Sequence, residues 1–312
     1  MFCSNFNIYV KTKSILNMKI INAILFTFLL LNPILFAEEG IVVDNGLIVL
    51  KTHSYKSFVG IIQKEKSDST LFQTFDGKKI EFANTEILMT YDFNGRIRNG
   101  RLQKKDPNSS FYLFSPSAFA IENGKLYCRD FCLFYPSLNY GLANILSAQA
   151  GLFWYPGMDY ENTPFVGNLK LTAFETHIFS LAGGITYVNL PVIQKERIYS
   201  TGFAFVTGTL GNRYNHASVS AGLGYVQKES EWVCEDKPII VAAGNLRLLN
   251  SVSFVTENWF FPDEKIEDSL LSMALRFFGR QIAVDVGATF TVNSIREKVN
   301  PIPVINFTYH LR

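Results

Sequence analysis

Long apolar runs are absent from the sequence after residue 37, where no segment reaches the roughly 18 residues of a transmembrane helix. Charge is also modest, with 18% charged residues and a formal net charge of +2, which gives no electrostatic reason to expect nucleic-acid binding. Histidine and cysteine are few, at four each, and no spacing of them matches a zinc site. We therefore predict no metal, no cofactor and no nucleic-acid partner.

The one long apolar run lies near the start of the chain. Lys19 precedes the apolar stretch Ile20–Phe36, and Ala37 follows it before two glutamates. A basic residue, an apolar run and a small residue are typical of a secretory signal peptide. We predict a signal peptide over residues 1–37, with Met18 as an alternative natural start. An N-terminal membrane anchor is the other interpretation, and Pro33 disfavours it. The mature protein is then expected to be periplasmic, secreted or in the outer membrane.

Alternation of apolar and polar residues dominates the chain from residue 111 onward. Leu169, Leu171 and Ala173, for example, alternate with Asn168, Lys170 and Thr172. Successive side chains on a strand point to opposite faces, so each such segment has one apolar and one polar face. The pattern recurs over residues 146–152, 179–187, 218–225, 271–277, 282–290 and 305–310, and it is ambiguous over 202–210.

The lengths of the connections between these segments distinguish a membrane barrel from a soluble β-sandwich. Short turns are predicted at Ala143-Asn144, Thr176-His177, Gly211–His216, Asn250-Ser251 and Gly279-Arg280. Long loops fall between them, at Pro156–Thr163, Asn189–Ser200, Gln227–Lys237, Phe261–Asp268 and Asn293–Ile302. Strict alternation of short and long connections is the layout of outer-membrane barrels, and Greek-key crossings do not produce it.

The same layout predicts the direction of each strand. The last strand, Val304–Leu311, follows a long loop and is expected to run towards the periplasm. Counting back, Phe111–Ala120 becomes the first strand, Ile121–Asp130 the first outer loop and Phe131–Leu142 the second strand. The fold class is thus all-β, with an antiparallel transmembrane β-barrel of about twelve strands over residues 111–312 and both termini in the periplasm.

Aromatic side chains at strand ends are expected to form girdles at the two membrane interfaces. Phenylalanine and tyrosine are abundant, at 28 and 14 residues. The predicted girdle residues are Trp154, Tyr155, Tyr187, Tyr225, Trp259, Phe260 and Tyr309. The C-terminal sequence His310-Leu311-Arg312 departs from the aromatic ending that is usual as a barrel-assembly signal.

A smaller domain is predicted over residues 38–95. Short strands at Leu47–Lys51, Ser57–Lys64, Ser69–Phe75, Lys79–Phe82 and Ile87–Tyr91 are separated by turn residues. This pattern favours a small closed barrel. The segments Phe58–Ile62 and Asp76–Ile80 resemble Sm-like or SH3-like domains, and this resemblance implies no ligand. Residues 96–110 are polar and basic and are predicted to be a linker.

A second resemblance covers residues 111–157. Phe114–Phe119, Tyr127, Gly141–Asn144 and Gly151 are similar to an uncharacterised family of bacterial outer-membrane barrel proteins. The resemblance implies the architecture alone and adds no catalytic residue.

Charged side chains on the polar faces are the candidate functional residues, because charges facing lipid would cost several kcal/mol. The predicted lumen-lining charges are Lys170, Arg247, Glu257, Arg276 and Asp285. Asn139, Gln149, Asn245, Asn306 and His310 accompany them. They could form a structural network across a narrow barrel, or a porin-like constriction that passes small solutes with a weak preference for anions.

Catalysis is the less favoured interpretation, although some outer-membrane barrels are lipid hydrolases. The histidines, His53, His177, His216 and His310, have no nearby serine and acid partner in the sequence, so we predict no enzyme. The expected partners are outer-membrane lipid and the barrel-assembly machinery. A periplasmic protein bound through the small domain is an alternative, which would make that domain a tethering module. Cys128, Cys132 and Cys234 leave disulfide pairing open.

Overall fold

The computed structural model describes residues 46–98, 100–154, 156–158, 163–190, 198–228, 231–262, 266–291, 293–294, 297 and 299–311. The predicted signal peptide lies outside these residues. The described residues divide into a small unit (residues 46–106 and 249–251) and a barrel unit (residues 107–248 and 252–311). No helix within the described ranges is long and apolar enough to cross a membrane.

The small unit contains an antiparallel five-stranded sheet. Its strands are β1 (Ile48–Thr52), β2 (Ser57–Glu65), β3 (Ser69–Thr74), β4 (Lys79–Ala83) and β5 (Ile87–Asp92), in the order β4-β3-β2-β1-β5. Leu50, Phe72 and Phe82 form its buried core. The 3-10 helix Asn84–Glu86 joins β4 to β5, and among the described pairings these two strands are the edges of the sheet. The predicted strands are present, whereas the barrel closure is not seen.

The predicted linker contains a hairpin instead of an irregular chain. Strand β6 (Gly95–Arg98) pairs with β7 (Arg101–Lys104), from Gly95 opposite Lys104 to Arg98 opposite Arg101. The linker prediction is therefore wrong for these residues. Gly100 follows Asn99 in sequence and has a φ of +69°, and an Asn-Gly pair favours a two-residue hairpin turn. The basic composition of the segment concealed this turn signal.

Twelve strands close the barrel unit, as predicted. They are β8 (Leu126–Phe131), β9 (Tyr135–Ala143), β10 (Leu146–Leu152), β11 (Phe165–Glu175), β12 (Phe179–Asn189), β13 (Ile198–Gly211), β14 (His216–Lys228), β16 (Ile239–Leu249), β17 (Val252–Phe260), β18 (Leu270–Phe278), β19 (Ile282–Phe290) and β20 (Ile302–His310). The antiparallel pairing of β8 with β20 closes the cylinder, and the short strand β15 (Glu231–Cys234) pairs with β14.

The alternation of short turns and long connections is confirmed for the ten connections between β9 and β20, whereas only residues 132–134 join β8 to β9 at the end that carries the long connections. β9 ends at Ala143 and β10 begins at Leu146, whereas β19 ends at Phe290 and β20 begins only at Ile302. Tyr127 of β8 pairs with His310 of β20, so the first strand begins where the last one ends. The entry to the barrel and its C-terminus therefore lie at one end, which also carries the short turns.

The prediction for residues 111–130 is wrong. Phe111–Ala120 is not a strand and contains only an isolated bridge between Phe111 and Pro116. Leu126–Asp130, which was predicted to lie in an outer loop, belongs to the first barrel strand, Leu126–Phe131. Consecutive residues such as Tyr112 and Leu113 are both buried, so the segment has no apolar outer face. A proline between two serines was the available warning, because proline cannot donate a hydrogen bond in a sheet.

The outer face of the barrel is apolar, and its strands follow the predicted alternation. Leu169, Leu171, Leu223, Leu275, Val286 and Phe307 are all exposed, while the residues between them are mostly buried. Of the predicted girdle residues, Trp154, Tyr187 and Tyr309 are exposed. Trp259 is a correction, because its indole N–H points inward and donates to Glu257. Tyr155 lies outside the described residues.

Candidate functional site: the occupied lumen

A segment of the chain itself occupies the interior of the barrel. We call Pro107–Ile121 the internal strap. Near its start, the Asn108 amide donates to Thr308 Oγ1 at 2.8 Å, and at its end the N–H of Ile121 donates to Ser147 Oγ at 3.0 Å. Both contacts lie at the end of the barrel that carries the short turns. The strap folds back within the lumen, where the N–H of Tyr112 donates to the carbonyl of Ser115 at 3.0 Å.

Glu257 holds the tip of the strap. Its Oε2 accepts the backbone N–H groups of Leu113, Phe114 and Ser115 at 3.0, 2.9 and 2.9 Å. Its other oxygen accepts the indole N–H of Trp259 at 2.7 Å. These four N–H groups satisfy both oxygens of a buried carboxylate, which would otherwise be costly to bury. A buried acid is thereby paired with backbone amides of the strap rather than with a solute.

Arg276 and Asp285 form a buried ion pair beside the strap. The guanidinium donates to both carboxylate oxygens, at 2.6 and 3.1 Å. The same guanidinium donates to the carbonyls of Phe111 at 3.1 Å and Tyr112 at 2.7 Å. A buried ion pair is stable only when its remaining donors are satisfied. In this pair, the carbonyls of the strap supply the additional acceptors.

Lys170 holds the returning half of the strap from the opposite wall. Its ammonium donates to the carbonyls of Ser117 at 2.8 Å and Phe119 at 2.7 Å. Two threonines complete the contact, because Thr172 donates to the carbonyl of Ala118 and Thr209 accepts its N–H. Side chains of the barrel wall thus provide hydrogen-bond partners for backbone N–H and carbonyl groups of the strap, which would otherwise be costly to bury.

The remaining predicted residues also face the interior. Arg247 is buried, with its guanidinium 4.2 Å from the ring centroid of Phe278. Asn306 donates to the carbonyl of Leu113 at 3.1 Å, and His310 Nε2 lies 3.1 Å from Asn108 Oδ1. Asn139 and Gln149 both donate to Ser137 Oγ, and Asn245 donates to the carbonyl of Tyr214.

Arg129 is a lumen residue that sequence reasoning missed, because it was placed in a predicted loop. It lies on β8 and is buried, and one of its terminal nitrogens donates to the carbonyls of Tyr112 (3.0 Å) and Leu113. Its guanidinium also lies 4.9 Å from the ring centroid of Phe111. Arg129, Arg276 and Asn306 therefore surround the backbone on one side of the strap.

Aromatic side chains of the strap fill the space that its backbone leaves. Tyr112 and Phe119 both contact the ring of His216, at centroid distances of 5.2 and 5.1 Å. The Tyr112 hydroxyl lies 2.5 Å from Ser218 Oγ on β14. Phe111 packs with Ile121 and Tyr127 in a buried cluster. The strap is thus packed as a core as well as hydrogen-bonded.

The arrangement of histidines and cysteines offers no assembled catalytic or metal site in the described part of the chain. No histidine there hydrogen-bonds a serine or an acidic side chain, and His216 Nδ1 lies 3.1 Å from the carbonyl of Asn212. No group of three or more metal-ligating side chains occurs among the same residues. Cys128, Cys132 and Cys234 are free thiols, with Cys128 and Cys234 exposed.

Comparison with solved structures returns outer-membrane barrels. The KdgM porin covers 60% of this chain and 99% of its own, at 9% identity and a TM-score of 0.43. The match to OmpT of Vibrio cholerae with loop L8 deleted covers 85% of this chain and 96% of OmpT, at 11% identity and a TM-score of 0.31. A porin mutant of Rh. blastica covers 85% and 97% at 9% identity and a TM-score of 0.31. These values are too low to transfer any activity or solute.

No protein-family model and no curated protein matches the chain. The resemblance to an uncharacterised barrel family therefore stays a prediction. The same holds for the resemblance of the small unit to Sm-like domains.

Proposed function

We propose that this protein is an outer-membrane barrel whose lumen is closed at rest by its own internal strap. The observation that carries the proposal is that the buried charged side chains hydrogen-bond to the backbone of the strap. Glu257, Arg276 and Lys170 all bind the backbone of the strap, so they are not free to coordinate a passing solute. A porin-like passage of small solutes through this lumen requires the strap to leave it.

The apolar outer face supports the membrane location. Large side chains such as Leu171, Leu223 and Phe307 are exposed on successive outward positions, and soluble proteins rarely expose a continuous apolar belt of this extent. Lipid is the environment in which such a belt is favourable. We propose that the end with the short turns faces the periplasm, that both termini of the barrel lie there, and that the barrel-assembly machinery inserts it.

Single-channel conductance in a planar bilayer tests the closed state. The unmodified protein should give a flat trace, whereas a variant with residues 109–119 replaced by a glycine-serine segment of equal length should conduct. Migration in gels with and without boiling verifies that each protein forms a closed barrel. Steady conductance by the unmodified protein contradicts closure at rest, and a flat trace from a folded replacement variant contradicts the role of the strap.

Lipid hydrolysis is not expected from this geometry. His310 is positioned by Asn108 and stacks on Tyr127 at a centroid distance of 4.6 Å, which is an arrangement that anchors the start of the strap. Mixed micelles of phospholipid and detergent test the expectation directly. Turnover that disappears in His310→Ala, with the barrel still folded, would overturn it.

A further inference from the structure

The outer part of the lumen has a more apolar lining than the rest of the lumen. At the end opposite the short turns, aromatic and aliphatic side chains make up most of the inward surface. We call this region the aromatic vestibule, lined by Phe131, Tyr135, Phe203, Phe205, Val241 and Trp259, with Ser137, Gln149, Asn168, Thr186 and Ser220 as its polar members. Barrel interiors that hold water are normally polar, so an apolar lining needs an apolar occupant or a tight core.

The vestibule is not packed as a tight core. It contains a cavity of about 50 Å³ that is open on one side. The strap supplies its floor through Phe114, whose ring centroid lies 5.3 Å from that of Phe131 and 6.0 Å from that of Trp259. The space is therefore narrow, apolar and bounded by rings, which suits a slender or flat molecule.

One charged group borders this space. Arg129 lines the vestibule and is only 4% exposed, and its Nε has no hydrogen-bond partner. One terminal nitrogen is used by carbonyls of the strap, and no carboxylate of the described residues forms an ion pair with Arg129. Asp285 and Glu257 attract this guanidinium only through space, since their oxygens are bound to Arg276 and to the strap. A carboxylate in direct contact would add charge-assisted hydrogen bonds.

We propose that the aromatic vestibule binds a small amphipathic acid, with an apolar body between the rings and its carboxylate at Arg129. The predominantly aromatic and aliphatic lining favours an apolar body over highly hydroxylated solutes, which would leave more of their polar groups without hydrogen bonds. The proposal goes beyond closure of the lumen, because it assigns a ligand to the outer side of the strap while the strap stays in place and supplies the floor of the vestibule.

Titration of the detergent-solubilised full-length protein with 3-phenylpropionate tests the site. This probe is water-soluble and does not form micelles, and Trp259 fluorescence together with calorimetry reports its binding. Saturable binding with one site per barrel is expected, and 3-phenylpropionamide should bind at least tenfold more weakly. Equal affinity for acid and amide, or an absence of saturable binding, would overturn the proposal.

Matched variants locate the binding. Val241→Phe fills the vestibule and should weaken binding at least tenfold, whereas Val219→Phe makes the same change on the exposed outer face of β14 and should leave binding unchanged. Arg129→Gln should remove the preference for the acid, and Arg129→Lys should retain part of it. Each variant is first shown to migrate as a folded barrel. Unaltered binding in folded Val241→Phe would place the ligand elsewhere and contradict the proposal.

Discussion

The backbone N–H of Ser115 donates to Oε2 of Glu257 at 2.9 Å, although the two residues are 142 positions apart in the sequence. Two neighbouring N–H groups, those of Leu113 and Phe114, converge on the same oxygen. Three donors on one carboxylate oxygen fix the turn of the strap against the wall of the barrel. The interaction depends on an acceptor, so exchanging the carboxylate for an amide tests it with little change in volume.

Glu257→Gln should loosen the tip of the strap while the barrel stays closed. The amide retains one acceptor oxygen but loses the charge, and the cost should be about 1.5–3 kcal/mol, as for hydrogen bonds to a charged group. Amide hydrogen exchange at Leu113–Ser115 should accelerate by about 13- to 150-fold on that basis. Glu81→Gln makes the same change in the small unit and serves as the control. Unchanged exchange at the tip contradicts the role of Glu257.

The strand layout could be predicted because each strand has one face towards the exterior and one towards the lumen. Leu275 and Arg276 illustrate this, as neighbours that are exposed and buried, respectively. The strap could not be predicted in the same way. Tyr112 and Leu113 are both fully buried, and a segment without an exposed face shows no regular alternation of apolar and polar residues in its sequence.

The error at the strap also accounts for the missed site. With Phe111–Ala120 taken as a strand, Arg129 was assigned to a loop and the lumen was left empty. Trp259 was assigned to a girdle because an aromatic residue at a strand end is usual at a membrane interface. Trp259 lies two residues after Glu257 on the same strand, so the alternation that predicts Glu257 in the lumen also places Trp259 on that face, where its indole donates to Glu257. A local signal for its position was therefore present in the sequence.

Two ion pairs among the described residues of the barrel should differ in their importance. Asp285→Asn leaves the guanidinium of Arg276 without its charge partner in a fully buried position, at a cost of about 3–5 kcal/mol. Glu175→Gln removes the partner of Arg213 in a more exposed pair, and should cost about 0.2–1 kcal/mol. The temperature at which each barrel loses its folded gel migration measures the difference. Equal shifts for the two variants argue against a buried network.

A charged side chain on the outer face should destabilise the barrel more when it lies deeper in the membrane. Leu275 lies within β18 and is 40% exposed, and Leu275→Lys should destabilise the barrel in lipid vesicles by about 2–4 kcal/mol. Leu248→Lys, near the end of β16, should cost only about 0–1 kcal/mol because its ammonium reaches the interface. Urea titration of both variants gives the comparison. Similar costs at the two positions contradict a membrane-spanning belt.

The orientation of the barrel can be tested with its own cysteines. Cys234 is exposed on β15, in a long connection at the end opposite the termini, whereas Cys128 is exposed on the outer face of β8. The test uses a Cys132→Ser background, because Cys132 is a partly exposed free thiol between β8 and β9. A membrane-impermeant maleimide added to intact cells should then modify Cys234 and spare Cys128, because the reagent does not enter hydrocarbon. Cys234→Ser identifies the signal by its loss.

Ser54→Cys, in the small unit, should react only after the outer membrane is permeabilised, since a periplasmic unit is shielded from the reagent until then. Labelling of Ser54→Cys in intact cells, with Cys234 protected, would reverse the proposed orientation, because the end with the short turns and the small unit that precedes the barrel would then face the exterior.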